Sequence, residues 1–253
     1  MQDDFLQAPK LTLISVPAFT EPAHLPCEWV GEASDGERLS EYAGRVCYMS
    51  YANPVKRTTA EYIGNIKKQG HGSVLEHANY SMLFEGVSRS LTHELVRHRA
   101  GWSYSQLSQR YVDESKTQFV VPPAVLETGG AVMEQWCRDM VHARALYQVL
   151  ADGLFHQFAH ITDKVHRRKT AREAARSVLP NATETKIIAT GNARAWRTML
   201  ELRCGEGAER EIRRCMVEAL RILQATAPAF FQDFEIYTAE DKHEAARVLY
   251  HKV

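Results

Sequence analysis

Residues 94–111 read ELVRHRAGWSYSQLSQRY, and the rest of the chain takes its meaning from this stretch. Leu91, Leu95 and His98 stand at i, i+4 and i+7, so the spacing predicts a helix over 88–99 that turns His98 toward its apolar side. Arg97 and Arg99 splay away from that side, and Ala100–Gly101 is expected to end the helix. Cations in a last turn are ordinarily surface decoration, favoured by the helix dipole by roughly 0.3–1 kcal/mol each. The residues after Gly101 argue for more. Ser103, Ser105, Gln106, Ser108, Gln109 and Arg110 add hydroxyls, amides and a third guanidinium beside Trp102 and Tyr104, and residues 97–111 contain no carboxylate. An arginine fork matches a phosphate bidentately, while hydroxyls and amides hydrogen-bond to neutral oxygens or to a nucleobase edge. The stretch reads as a site for a phosphorylated, planar ligand.

Around it, 253 residues with 45% hydrophobic content suit one large domain or two small ones with a sizeable core. Lysine plus arginine equal aspartate plus glutamate at 31 each, which argues against a generally basic nucleic-acid binder. No apolar run approaches the roughly 18 residues of a membrane span and no charged leader precedes one, so a cytoplasmic protein without membrane attachment is expected. The cysteines at 27, 47, 137, 204 and 215 are odd in number and form no Cys-x-x-Cys pair, as expected of reduced thiols.

In chain order, LTLISV at 11–16 reads as a strand closed by Pro17, and a helix follows near 37–50. Within its last turn, Cys47 is expected to pack against a partner helix. A helix over 59–69, capped by Thr58 or Thr59, stops at Gly70. Residues 78–86 alternate with Tyr80, Met82 and Phe84 on one side, which predicts a strand. A strand around 118–121 is closed by Pro122–Pro123, and a long helix spans 131–161. Its apolar positions, Val132, Trp136, Met140, Leu146 and Leu150, fit core or subunit contact. HRRKTAREAAR at 166–176 reads as a basic helix with a solvated face. TETKIIATG at 183–191 has strand character, and Gly191–Asn192 marks the turn into a helix over 193–203. There Arg194 and Arg203 lie nine apart, on opposite helix sides at about 100° per residue, as if for different ligands or subunits. A last long helix, 207–226, carries Glu209, Glu211, Arg213 and Arg214 on its polar side, and the segment beyond Tyr237 reads as a charged tail.

His71, His77, His93 and His98, with Glu76 and Glu94, supply metal-ligand types, yet no His-Glu-x-x-His or paired cysteines organise them, so no metal is expected. No Gly-x-Gly-x-x-Gly follows a strand, which argues against a Rossmann dinucleotide pocket.

The segment at 97–110, an Arg-His-Arg followed by a serine-bearing loop and a closing Ser-x-Arg, resembles the signature of the flavin-dependent thymidylate synthases (the thymidylate synthase complementing protein family). HGSVLEH at 71–77, ARSVLPNATETK at 175–186 and GNARAWRTMLELR at 191–203 resemble the same family in order, covering most of the chain from about Arg45 to Glu235. One departure stands out: Ala100, Gly101 and Trp102 separate Arg99 from Ser103, where the family pattern has two residues.

The resemblance implies an α+β fold in one domain over 1–253, with its core over about 10–237 and a charged tail over 238–253. A mixed or antiparallel β-sheet would be flanked by long helices in a homotetramer whose active sites are shared between subunits. It implies conversion of dUMP to dTMP with 5,10-methylenetetrahydrofolate as one-carbon donor and FAD, re-reduced by NADPH, as reductant. For dUMP it implies Glu94, Leu95, Val96 and Arg97, then Gln106, Leu107, Ser108, Gln109 and Arg110, then Arg176 and Arg203. For FAD it implies Ser73, Arg97, His98, Arg99 and Gln106, then Asn192, Ala193, Arg194 and Thr198, where Thr198 stands in place of a longer asparagine or histidine. Arg203, Ser108 and His71 would lie nearest the chemistry, Arg203 favouring an ionised uracil N3. On sequence alone His71 reads equally as a polar turn residue. Ser108 lacks a histidine and acid at triad spacing and is read as a hydrogen-bonding group rather than a nucleophile. No cysteine lies in a signature segment, so no covalent cysteine adduct with dUMP is expected. The rival reading is a single-stranded nucleic-acid module using Arg97, Arg99, Arg110 and the 166–172 run with Trp102 and Tyr104 as stacking platforms; neutral charge and the lack of RNA-binding motifs count against it.

Overall fold

The structure, a computed structural model, describes residues 4–53 and 55–253. A short strand β1 (Phe5–Leu6) and β2 (Lys10–Ser15) lead into α1 (Asp35–Tyr48) and α2 (Thr59–Lys68). Both helices start with a capping box: Ser34 and Glu37 for α1, Thr58 and Glu61 for α2, each satisfying orphan amides reciprocally. After a 3-10 turn at Gly72–His77 come β3 (Asn79–Ser88), α3 (Arg89–Leu95), β4 (Trp102–Gln106), β5 (Phe119–Val120), α4 (Pro123–Thr128) and the long α5 (Gly130–Gln157). Then α6 (Lys164–Ala175), β6 (Glu184–Asn192), α7 (Ala193–Arg203), α8 (Arg210–Thr226), α9 (Pro228–Phe231), β7 (Phe234–Thr238) and β8 (Glu244–Val248) complete the chain. The main sheet has the order β2-β3-β6-β4; β1 pairs with β5 in parallel, and β7 with β8 antiparallel. This is the mixed helix-and-sheet architecture that the resemblance implies.

The chain forms two compact units. Among the described residues the first comprises those up to Lys10, Phe84–Glu94 and Ser105–Ile187, the second Leu11–Leu83, Leu95–Tyr104 and Ile188–Val253. In the first, Phe84, Leu91, Phe119 and Tyr147 are buried, and the amides opening α3 are satisfied by the carbonyls of Asn181 and Thr183. In the second, Ile63, Leu75, Tyr80, Met82, Trp196, Leu220 and Phe230 form the core. The alternation read from Tyr80, Met82 and Phe84 is thus that of β3, one face of which is buried.

Four expectations are corrected. The helix ahead of the signature loop ends at Leu95, not at residue 99. The Tyr104 hydroxyl lies 3.0 Å from both the Leu95 and His98 carbonyls, so β4 meets the acceptors at the helix end in place of a further helical turn. Arg213 is not on a polar face: it is 2% exposed and pairs with Asp241. Cys47 is exposed rather than packed on a helix. The supposed charged tail contains β8 and buries Ala245, Val248 and Val253. A buried cation is part of the reason: Arg197, 1% exposed, donates to the carbonyls of Tyr250 and Val253 and pairs with Asp233, so the last residues supply acceptors it needs. On α5 only Tyr147 is buried, while Val132, Leu146 and Leu150 are exposed, so these three do not belong to the core.

Candidate active site

The second unit gathers the loop after α3 and the start of α7 around one cavity of about 300 Å³, lined by Glu76, His98, Arg99, Gly101, Trp102, Asn192, Arg194 and Thr198, among others. Asn192 is the N-cap of α7: its side chain accepts from the Ala195 amide at 2.8 Å, and its own amide donates to the Gly101 carbonyl. The three-residue spacer therefore has a defined path. Gly101 adopts φ 76°, open to glycine, and a Cβ there would meet Asn192 Nδ2 at 2.7 Å. Trp102 follows, packed on Gly191, stacked on Tyr104 and edge-on to Trp196 with centroids 4.7 Å apart.

Arg194, in the first turn of α7, pairs with Glu76 at 2.7 Å and also borders a second cavity of about 360 Å³ with Cys47, Tyr48, Tyr62, His71, Gly72 and Ser73. Thr198 is exposed, and its hydroxyl donates back to the Arg194 carbonyl at 3.1 Å. Ala193 is fully buried and donates its amide to the Ala78 carbonyl, so it presents no side chain to a ligand.

At the other end of α7, Arg203 donates from Nε to His98 Nε2 at 3.0 Å. The two arginines on opposite sides of this helix are thereby tied to one wall, since His98 and Arg194 line the same cavity. Burial first, and then the Arg203 charge, push the His98 imidazole down to about 4, so it is neutral at physiological pH, with Nε2 as acceptor and the proton on Nδ1. Arg97 and Arg99 are exposed, and among the described residues neither has a carboxylate partner. Leu95 is fully buried, whereas Val96 beside it is 39% exposed.

In the first unit, Gln106 donates to the hydroxyls of Thr92 at 2.9 Å and Thr185 at 3.4 Å, and Leu107 is fixed by its amide to the Lys186 carbonyl. Ser108 Oγ accepts from the Arg110 amide at 3.4 Å, and no base stands with it among its described partners. Arg110 is not free of acids, as residues 97–111 alone suggest: Glu173 of α6 pairs with it at 2.6 Å. Gln109 is buried, its Nε2 unpartnered in the described structure. Arg176 lies near Arg89, whose guanidinium is held below its ordinary value by burial and by the Arg176 charge, against an opposing Glu114. Glu94 is half-buried at the end of its unit's share of α3.

Sequence reading thus selected His98, Arg99, Asn192, Arg194 and Thr198, which meet at one cavity, and Ser73 and His71, which meet at another. It missed Glu76, Trp102 and Cys47. Glu76 sits inside HGSVLEH and Trp102 inside the signature stretch, so their segments were already marked, but nothing in a linear reading says which side chains turn inward. Among the described residues no group of three or more histidine, cysteine or acidic side chains could hold a metal ion.

Comparison with known proteins gives the family. Residues 30–229 match the family described as thymidylate synthase complementing protein. A flavin-dependent thymidylate synthase of Mycobacterium marinum is 48% identical over 239 residues, 94% of each chain. The Mycobacterium tuberculosis enzyme of the same name is 47% identical over the same share. Among solved structures, a UMP/dUMP methylase PolB from Streptomyces cacaoi bound with 5-Br dUMP superposes with a TM-score of 0.64 at 22% identity, covering 90% of this chain and 95% of that one. At that identity the likeness speaks for the fold.

Proposed function

The chain belongs to the thymidylate synthase complementing protein family, and from that premise we propose that it methylates dUMP to dTMP, taking its one carbon from 5,10-methylenetetrahydrofolate and re-reducing FAD with NADPH. The observation that carries the reading is the convergence of His98, Arg99, Asn192, Arg194 and Thr198 on one cavity. The donor set suits FAD. Arg99 has no carboxylate partner among the described residues, Gly101 lets the backbone approach closely, and Trp102 adds a flat apolar surface at a site rich in cations, which fits a diphosphate joined to aromatic rings. When bound, reduced flavin supplies the hydride.

The protein's own task is positional. In this reading Arg99 and Arg194 neutralise the cofactor's phosphates, with Ser73 at the neighbouring cavity and Arg97 and Gln106 completing the cofactor's contacts. Arg97, Ser108, Arg110, Arg176 and Arg203 bind the nucleotide, with Glu94, Leu95, Val96, Leu107 and Gln109 around them. Arg203 stabilises negative charge on the base, and Ser108 donates a hydrogen bond rather than attacking. His71 lies at the folate and nicotinamide side. The active form is a homotetramer with shared sites in the cytoplasm. No helix among the described residues is long and apolar enough to cross a membrane.

The visible spectrum of the purified protein tests this. A flavin band that bleaches with NADPH and shifts on adding dUMP is expected. A colourless protein that takes up no FAD, or one that binds oligonucleotides with steep salt dependence instead, would overturn it.

A further inference from the structure

Of the two arginines that line the cavity proposed for the cofactor, Arg99 has no acid against it among the described residues, whereas Arg194 is held by Glu76, whose carboxylate accepts from Nη1 at 2.7 Å. Backbone brings this pair together. The Ala193 amide donates to the Ala78 carbonyl at 2.8 Å, so the first turn of α7 is tied to the end of the 3-10 turn Gly72–His77, and the fully buried Leu75 anchors that turn in the core. The same turn supplies a floor and a clamp: Gly72, with no side chain, lets the Arg194 Nε approach, and Glu76 takes Nη1 four residues on. Held there, Arg194 borders both the cavity of about 300 Å³ and that of about 360 Å³.

The ion pair has little to do for stability, since its arginine and glutamate side chains are 40% and 48% exposed. By charge alone Glu76 would work against the cofactor, because a carboxylate on the wall of a cavity that takes a diphosphate repels it. Its use to such a site lies in what it does to the arginine. We infer that Glu76 is a positioning residue for the cofactor: its carboxylate oxygen accepts the Arg194 Nη1–H and fixes the guanidinium over Gly72, so that the cation stands ordered before the phosphates arrive. This rests on the FAD reading proposed above and deepens it. An arginine without that acceptor keeps the rotamers of a long side chain and gives them up on binding, a cost the ion pair removes in advance. The gain from ordering outweighs the repulsion from one carboxylate, so the net effect is tighter binding.

The sign of the effect separates positioning from charge. Fluorescence titration of the flavin-free full chain with FAD is expected to show Glu76→Ala weaker by about tenfold, and Glu76→Gln, whose amide oxygen keeps the acceptor in place without the charge, within about threefold of the unsubstituted protein. In an Arg194→Ala background, Glu76→Ala is expected to bring no further loss, because the arginine it orders is gone. FAD affinity in Glu76→Ala equal to or above that of the unsubstituted protein would overturn the inference, and so would a loss that persists in the Arg194→Ala background or appears equally in Glu76→Gln. In each of these cases the unsubstituted protein still binds FAD; one that takes up none would instead sink the cofactor reading, and this inference with it. Thermal unfolding is expected to place all the variants within about 2 °C of the unsubstituted protein, and a melting temperature that falls with the affinity would mark the pair as structural and overturn the inference too.

Discussion

Arg194 lies so close to Gly72 that a Cβ at position 72 would sit 2.8 Å from its Nε. The clash would be with a side chain, not with backbone, so the arginine yields while the fold stays. Gly72→Ala is therefore expected to shift the melting temperature by no more than about 2 °C, within the effect of about 1 kcal/mol at this chain length, yet to weaken FAD binding about tenfold. Fluorescence titration with FAD beside thermal unfolding checks both halves. Undiminished FAD affinity would show that the placement of Arg194 does not matter to the cofactor.

Gly191 meets Trp102 in a different way. A Cβ there would fall 2.7–2.9 Å from three carbons of the indole, which is itself wedged against Trp196 and stacked on Tyr104. Gly191→Ala is expected to cost about 1–3 kcal/mol through overpacking, and to lower FAD affinity because Trp102 lines the cavity proposed for the cofactor. Chemical denaturation measures the first effect.

The buried cluster of Lys67, Arg197 and Asp233 makes the second unit dependent on a single carboxylate. Both cations are 1% exposed at the side chain, and Asp233 pairs with each. Burial alone would push Asp233 up, but Arg197 and then Lys67 hold it below its usual value. Asp233→Ala leaves two cations without a counterion and is expected to destabilise the protein by about 3–5 kcal/mol in urea unfolding. A loss under about 1 kcal/mol would mean that the cluster is solvated.

The neutral His98 links stability to pH. Its folded value of about 4 lies below the ordinary 6.5, so the unfolded chain binds the proton more tightly. Its contribution is full above about pH 6.5 and is lost as pH falls through 4. The undiscounted shift corresponds to about 3 kcal/mol, which screening at a half-buried ring reduces to on the order of 1–2 kcal/mol. The difference in urea midpoint between the unsubstituted protein and His98→Gln should shrink from pH 7 to pH 4; a constant difference would exclude this linkage.

Ser108 offers a sharper chemical test. Its hydroxyl has the Arg110 amide at 3.4 Å and no activating base among its described partners. Ser108→Ala is expected to retain measurable turnover with weaker dUMP binding. A variant that still binds dUMP and FAD yet forms no dTMP would make the serine a nucleophile after all.

Much of the fold was legible in the chain, and the exceptions share a cause. Caps and alternation are local, so Thr58, Asn192 and the Tyr80–Met82–Phe84 face placed their elements correctly. The end of α3 was not local: Tyr104, nine residues on, supplies the hydroxyl beside the Leu95 and His98 carbonyls. The last residues looked like a charged tail because the demand they meet, the buried Arg197, lies more than fifty positions away. At the site, residue types announced a phosphorylated planar ligand, but not that Glu173 pairs with Arg110, nor that Arg203 and Arg194 reach one wall from opposite sides of α7.

The decisive measurement is product formation. Purified protein incubated with dUMP, 5,10-methylenetetrahydrofolate, FAD and NADPH is expected to yield dTMP, resolved by chromatography, in step with NADPH oxidised. Removing FAD should abolish that yield, and restoring it should bring the yield back. No dTMP from the complete mixture, or dTMP formed at an undiminished rate without flavin, would contradict the proposed function.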